Sequence, residues 1–426
     1  MKSKKSKIIF TAVSLFVIAS IIIGATMIYR NYYKEEKVRY PYILVHGLYG
    51  WGADSGINDT APYWGAGTGS LKDYLTSKGY TVHEASVGPF NSTWDRACEL
   101  YAQITGQRVD YGEAHAKEHN HERYGDTYSS PLFPEWGKKT EGGQIYKVNL
   151  IGHSFGGNTI RMLTSLLEYG DKTEQDTKQD NMSELFKGGK GNYVNSLTTL
   201  CTPHNGSTLY YVLDENELIP LIMSASYAVA GLSDTFNMGN IINYHLPNIP
   251  KGQKESSSLI PGLSDIYGMI KNTGADNAAY ELSPDGAKQL NDYMKAVDGV
   301  YCFSYSFSTT KKDESGFHKP VDSTLLPLKI TAELMGKYDN NLQTDYEIDE
   351  RWLENDGLVN VISARYPFDE GHIEYSEGIS ATPGIWNVMP LLPGDHGTVI
   401  GLNADKDKTR KFYDDLFNMI ENLRRI

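Results

Sequence analysis

Cysteine is scarce in this chain: 3 residues in 426, at Cys98, Cys201 and Cys302. So few, so widely spaced, exclude a disulfide framework. Cys98 and Cys201 sit in apolar-patterned segments and read as small core residues, with free thiols expected at all three positions. Positive charge is also short. Forty Lys and Arg stand against 53 Asp and Glu, a net charge of −13, and without a basic stripe nucleic acid is excluded as a partner. No internal repeat and no low-complexity tract are present, which excludes a solenoid and leaves a globular reading. Histidine is infrequent at 11 residues, yet His115, His119 and His121 crowd into "DYGEAHAKEHNHERYG" (110–125).

What is present is ordinary for a globular enzyme-sized protein: 40% hydrophobic and 22% charged residues, enough for a sizeable core. Tyrosine reaches 30 residues, which suits carbohydrate or lipid contact. At the N-terminus, Lys2, Lys4, Lys5 and Lys7 precede an uncharged run from Ile8 to Tyr29. As a helix that run would extend roughly 33 Å, enough for a bilayer core. It reads either as an uncleaved signal anchor or as a long cleaved signal, with Ile23 and Ala25 at a cleavage site. Either way the bulk of the chain is expected outside the cell, secreted or tethered to the outer face of the cytoplasmic membrane. Residues 1–38 read as the leader and tether, and 39–426 as one domain.

Strand and helix patterns alternate along that domain. "YPYILVHGLYGWG" is a buried strand running into a glycine-rich turn, "YTVHEASV" (80–87) the next strand, and "WDRACELYAQITG" (94–106) a helix stopped at Gly106. "IYKVNLIGHSFGG" is a strand entering a turn, followed by the helix "NTIRMLTSLLEYG". "YVNSLTTLCTPHNG" and "GVYCFSYSF" read as strands, "GAKQLNDYMKAV" and the stretch from about 405 as helices, and "DGLVNVISA" as a strand and turn. The alternation predicts a mostly parallel sheet with helices on both faces.

Gly152-His153-Ser154-Phe155-Gly156 is a G-x-S-x-G elbow between a strand and a helix. Such a turn lifts the serine hydroxyl clear of the backbone, and small neighbours permit its tight geometry. The hydroxyl needs a base, and the base an orienting carboxylate, which follow in the chain order Ser, Asp or Glu, His. His396, in the glycine-flanked "PGDHGTVIG" just before the closing helix, is the best-placed base, ahead of His372 and His318. Asp356 of "ENDGLVN" is the best-placed acid, with Glu354 and Asp395 as competitors. Two N–H donors must hold the oxyanion, and these fall on Phe155, after the nucleophile, and Leu48, after His46-Gly47.

"VHGLYGWG", "PYWGAG", "STWDRACE", "DYGEAHAKEHNHERYG", "GHSFGGNTIRML", "TTLCTPHNG", "RWLENDGLVN" and "GIWN" occur in order from about residue 40 onward. Together they resemble the secreted lipases of thermophilic bacilli and staphylococci. The resemblance implies an α/β-hydrolase fold, a helical lid, and triacylglycerol lipase activity on a lipid substrate at an oil–water or membrane interface, without an obligatory protein partner. It places nucleophile, acid and base on Ser154, Asp356 and His396, and an oxyanion donor on Leu48. A phospholipase A1 or a short-chain carboxylesterase is the alternative within hydrolases. A catalytically silent binding protein and a metallohydrolase are the alternatives outside them.

The histidine cluster alone fits either a metal site or a solvated polar loop, and spacing leaves open which histidines would serve. The resemblance implies a zinc ion held by two Asp and two His, at Asp95, His115, His121 and Asp276, in an insertion spanning about 92–140. Four protein ligands would close the sphere and make the ion structural. The family's calcium carboxylates fall on Thr398 and Asn403, so that calcium site is expected to be lost. The lid is expected within about 207–280, where "LIPLIMSASYAVAGL" is apolar over most of its length but the family's glutamine-tryptophan-glycine stretch is missing. A buried helix pair that does not move is the plainer reading of the same segment.

Overall fold

The computed structural model describes residues 38–177, 181–213, 274–338, 344–376 and 378–425. The N-terminal run 8–29 and most of the expected lid segment 207–280 therefore lie outside the described residues. No helix among the described residues is long and apolar enough to cross a membrane. The chain divides into two units, Met1–Arg39 with Lys139–Gln144, and Tyr40–Lys138 with Ile145–Ile426. In the first, the Thr140 N–H donates to the Gln144 carbonyl (2.7 Å) and closes a turn.

The second unit is built on a seven-stranded sheet. Its strands are β1 (Tyr42–Val45), β2 (Val82–Ala85), β3 (Val148–His153), β4 (Val194–Leu200), β5 (Tyr301–Tyr305), β6 (His372–Glu374) and β7 (Trp386–Val388). They lie in the order β6-β7-β5-β4-β3-β1-β2, and every neighbouring pair is parallel. The central strands read as continuous apolar runs because both faces are covered: β1, β3 and β5 are buried at every position.

Alternation along β1 sorts its side chains onto two cores. Tyr42 and Leu44 join Leu71 and Leu75 of α1 (Leu71–Ser77) with residues that lie, in the closing helix, at Tyr413, Leu416 and Phe417. Ile43 and Val45 face α2 (Thr93–Thr105) and α4 (Phe155–Tyr169), through Leu100, Ile104, Ile160 and Leu163. Between α2 and α4 in the chain, α3 (Glu113–Glu118) carries the first histidine of the cluster. Helix α2 starts where the Ser92 side chain accepts the Asp95 N–H and stops at Gly106, φ 70°.

Two expectations change. The helix of "GAKQLNDYMKAV" starts earlier, at Pro284, because Ser283 accepts the Gly286 N–H, and ends at Tyr293; this is α5. "DGLVNVISA" is not a strand. The Asp356 carboxylate accepts the Leu358 and Val359 N–H groups (2.9 and 2.8 Å), closing a turn that an isolated Asn355–Asn360 bridge flanks. A short helix, Val361–Arg365, follows. Downstream of α5 come α6 (Leu326–Gly336) and, as expected, a closing helix α7 (Lys406–Glu421).

Candidate active site and metal-ligand cluster

Ser154 follows the last residue of β3 and caps α4 with φ 54° and ψ −129°, a conformation in which non-glycine residues are rare. Its side chain makes no capping bond, so the hydroxyl is not used by the helix it precedes. The flanking glycines are required sterically: a Cβ at Gly152 would lie 2.4 Å from the Gly156 carbonyl, and one at Gly156 2.2 Å from that of Val45. Gly47 is pressed against the same turn, since a Cβ there would lie 2.8 Å from Cβ of Ser154.

His396 and Asp356 meet as a buried pair. The His396 Nδ1–H donates to Asp356 Oδ2 at 2.8 Å, and the His396 N–H donates to the Asp356 carbonyl at 2.8 Å. Asp356 keeps its other oxygen on the two N–H groups of its own turn, so the carboxylate cannot rotate away from the ring. Ser154 and His396 line one cavity of about 100 Å³ whose wall is mainly apolar, including Leu48, Leu209, Leu282, Leu325 and Leu358. Leu48 thus lies at that cavity, while Phe155 is fully buried and opens α4, whose first-turn N–H groups have no intrahelical acceptor.

The competitors are placed elsewhere. Asp395 is buried but committed, accepting the N–H groups of Leu325 (3.0 Å) and Gly397 (3.2 Å) and the Thr398 hydroxyl (3.0 Å). His372 is exposed on the edge strand β6, stacked on Tyr366 at 3.6 Å. His318 lies in a small hairpin, opposite Lys312. At the expected calcium positions, the Thr398 hydroxyl faces Asp395, and the Asn403 amide donates to the Ser323 carbonyl (2.8 Å) and to Asp395 Oδ2 (3.1 Å). Asn403 therefore turns a donor, not an oxygen, toward these acceptors.

Asp95, His115, His121 and Asp276 come together although Asp276 lies far along the chain, with one ligand atom from each within 4.8 Å of the others. His115 Nε2 is 3.3 Å from Asp95 and 3.5 Å from Asp276, and His121 Nε2 is 3.9 and 3.5 Å from the same two. A tetrahedral ion with bonds of about 2.0–2.1 Å sets its ligands about 3.3–3.4 Å apart. The Nε2 atoms of His115 and His121 are buried without a hydrogen-bond partner, an arrangement that is expensive unless something positive fills the centre. The His121 Nδ1–H donates to the Glu122 carbonyl (2.8 Å), which leaves the Nε2 lone pair for a metal. Burial pulls the His115 pKa down, but the carboxylates of Asp276 and Asp95 outweigh it and raise it to about 10, so the centre demands a cation or a proton. The four residues fit zinc. The His119 ring lies tilted beside that of His115 (ring centroids 4.5 Å apart, planes at 50°) but is not one of the four.

Several residues at the site carried no signal in sequence. Buried Arg96, next to Asp95 on α2, donates to the carbonyls of His46 (2.5 Å) and Gly88 (2.8 Å) and to the Thr159 hydroxyl (2.8 Å). Burial lowers its pKa to about 10, so it stays charged at neutral pH. Cys201 follows β4 as Ser154 follows β3, with φ 53°, and burial, followed by the charge of Asp356, holds its thiol well above the usual cysteine pKa. All three cysteines are free and buried.

A family model described as "Lipase-like, C-terminal domain" matches residues 38–425. A lipase of Staphylococcus epidermidis is 34% identical over 387 residues, which covers 90% of this chain and 53% of the relative, and lipase 2 of Staphylococcus aureus is 35% identical over 375 residues. The chain therefore spans about half the length of the curated relatives it matches. Among solved structures, EstA from Clostridium botulinum aligns with a TM-score of 0.80 at 35% identity, covering 92% of this chain and 89% of that one. The Staphylococcus hyicus lipase aligns with a TM-score of 0.73 at 31% identity, covering 91% and 97%. Sheet order, elbow and sequence agree: the chain belongs to the family of lipase-like C-terminal domains.

Proposed function

We propose that this protein is a secreted or surface-tethered serine hydrolase of carboxylic esters, acting as a lipase on triacylglycerols. The observation that carries the reading is the meeting, at one apolar cavity, of a serine held at a strained elbow with the buried His396–Asp356 pair. Ser154 attacks the ester carbonyl while His396, through Nε2, takes the hydroxyl proton. Asp356 fixes the Nδ1–H tautomer and stabilises the imidazolium that forms. The N–H groups of Leu48 and Phe155 hold the developing oxyanion. His396 then returns the proton to the leaving alcohol, and water, activated by the same histidine, releases the fatty acid from the acyl-enzyme. The leucine-rich wall suits an acyl chain.

Asp95, His115, His121 and Asp276 would hold a zinc ion, which would pin the 92–140 insertion. When bound it supplies positive charge to a closed, four-ligand sphere, and the reaction above does not pass through it. No calcium is required at Thr398 and Asn403. Residues 8–29 direct export as a cleaved signal or an anchor. Turnover of tributyrin, triolein and phosphatidylcholine by the wild type and Ser154→Ala tests the reading. Hydrolysis of the triglycerides by the wild type alone supports it, phosphatidylcholine preference would make it a phospholipase, and turnover by the variant would overturn it.

A further inference from the structure

Tyr63 and His153 lie between the three parts of the site without belonging to the triad. The Tyr63 hydroxyl accepts the Gly47 N–H at 2.9 Å and contacts His153 Nδ1 at 2.6 Å. On the other side of the ring, His153 Nε2 lies 2.9 Å from the carbonyl oxygen of His396. Both residues are buried, and both line the cavity.

The donor directions follow from what each atom faces. A carbonyl oxygen can only accept, so His153 Nε2 carries the proton. Burial holds the ring neutral, with a pKa well below the usual histidine value, so Nδ1 is a lone pair and must accept. Tyr63 O–H is therefore the donor to Nδ1, and its oxygen takes the Gly47 N–H. The chain runs one way: Gly47 N–H to Tyr63 O–H to His153, and His153 N–H to the His396 carbonyl. Serial bonds in a buried setting polarise and stiffen one another.

We propose that Tyr63 and His153 are positioning residues that hold the oxyanion loop and the general base in register with the nucleophile. This rests on the triad reading above. The link starts at Gly47, one residue before Leu48. It passes through His153, one residue before Ser154, and ends on the backbone of His396. The Tyr63 loop is itself anchored: the Gly65 and Ala66 N–H groups donate to the Ile400 carbonyl (2.8 and 3.1 Å), which stitches it to the segment after His396. Tyr63 has no part in proton transfer, because its own proton is committed to His153.

Four variants test this: Tyr63→Phe, His153→Phe, His153→Gln and the Tyr63→Phe/His153→Phe double. Kinetics on a soluble p-nitrophenyl ester are read beside melting curves, with Tyr74→Phe, a tyrosine paired with Asp414 on the surface side, as control. A misplaced group in an assembled site lowers turnover by up to about 100-fold. Tyr63→Phe and His153→Phe are each expected to lower kcat roughly 10- to 100-fold with KM within about twofold. The double should be no worse than the poorer single, because either break opens the same chain. His153→Gln, whose amide offers an acceptor and a donor in place of the two ring nitrogens, should recover most of the loss. Full kcat in both Phe variants, or additive losses in the double, would overturn the proposal. Failure of His153→Gln to outperform His153→Phe would do so as well, and that comparison stands even if Tyr63→Phe does not fold. Activity in Ser154→Ala would instead defeat the triad reading, which separates the two failures.

Discussion

Emptying the metal-ligand cluster is the perturbation whose size can be worked out most fully. Without an ion, the buried Nε2 atoms of His115 and His121 face the Asp95 and Asp276 carboxylates at 3.3 to 3.9 Å and make no hydrogen bond. An ion at a thousandfold excess over its Kd stabilises the folded state by about 4 kcal/mol. The matched region, residues 38–425, has an unfolding entropy of roughly 0.8 kcal/mol per kelvin at about 2.1 cal/mol/K per residue. The ratio predicts a fall in Tm of about 5 °C on chelation. Differential scanning calorimetry of protein exchanged against a chelator and then reloaded with zinc measures it, with elemental analysis reporting metal per chain. Asp276→Asn should show the lowered Tm without chelator and gain little from added zinc. A metal-free preparation with unchanged Tm, or an Asp276→Asn variant that binds zinc as tightly as the wild type, would refute the reasoning.

Other outcomes follow from single contacts. Asp356→Asn leaves the turn in place but presents the wrong partner to His396 Nδ1, and should lower kcat on the order of 10⁴-fold, read on a short-chain ester. Gly156→Ala would set a Cβ 2.2 Å from the Val45 carbonyl, which forces β1 and α4 apart. A lowered Tm together with lost turnover is the expected result. His204 is buried, and burial followed by the charge of Arg161 holds its pKa well below that of a free histidine. The unfolded chain takes up a proton below about pH 6.5 that the folded chain refuses, so stability falls with falling pH at about 1.4 kcal/mol per pH unit from this group. Urea midpoints between pH 7.5 and 5.5 should fall more steeply for the wild type than for His204→Asn.

How far the site was legible depended on the range of its contacts. The elbow at Ser154 is local, set by Gly152, Gly156 and a strand-to-helix switch, and it could be read directly. Asp356 and His396 are 40 residues apart, yet each sits in a turn whose type shows in its neighbours. The metal-ligand quartet is different: His115 and His121 stand out, but nothing about Asp276 marks it, and it was reached only through the resemblance. The Tyr63–His153 bond spans 90 residues and shows only once the sheet has placed β1 beside β3. "DGLVNVISA" misleads for the opposite reason. Its Val and Ile favour a strand, but the Asp356 carboxylate closes a turn on the Leu358 and Val359 N–H groups, and helix Val361–Arg365 follows.

The central claim is that Ser154 is the nucleophile, and active-site labelling tests it most directly. The protein is treated with a fluorophosphonate, residual ester hydrolysis is followed, and the adduct is mapped by peptide mass spectrometry. One adduct per chain, on Ser154, forming in step with the loss of activity, is the predicted result. Activity that survives full labelling, or is lost while Ser154 stays unmodified, would contradict it.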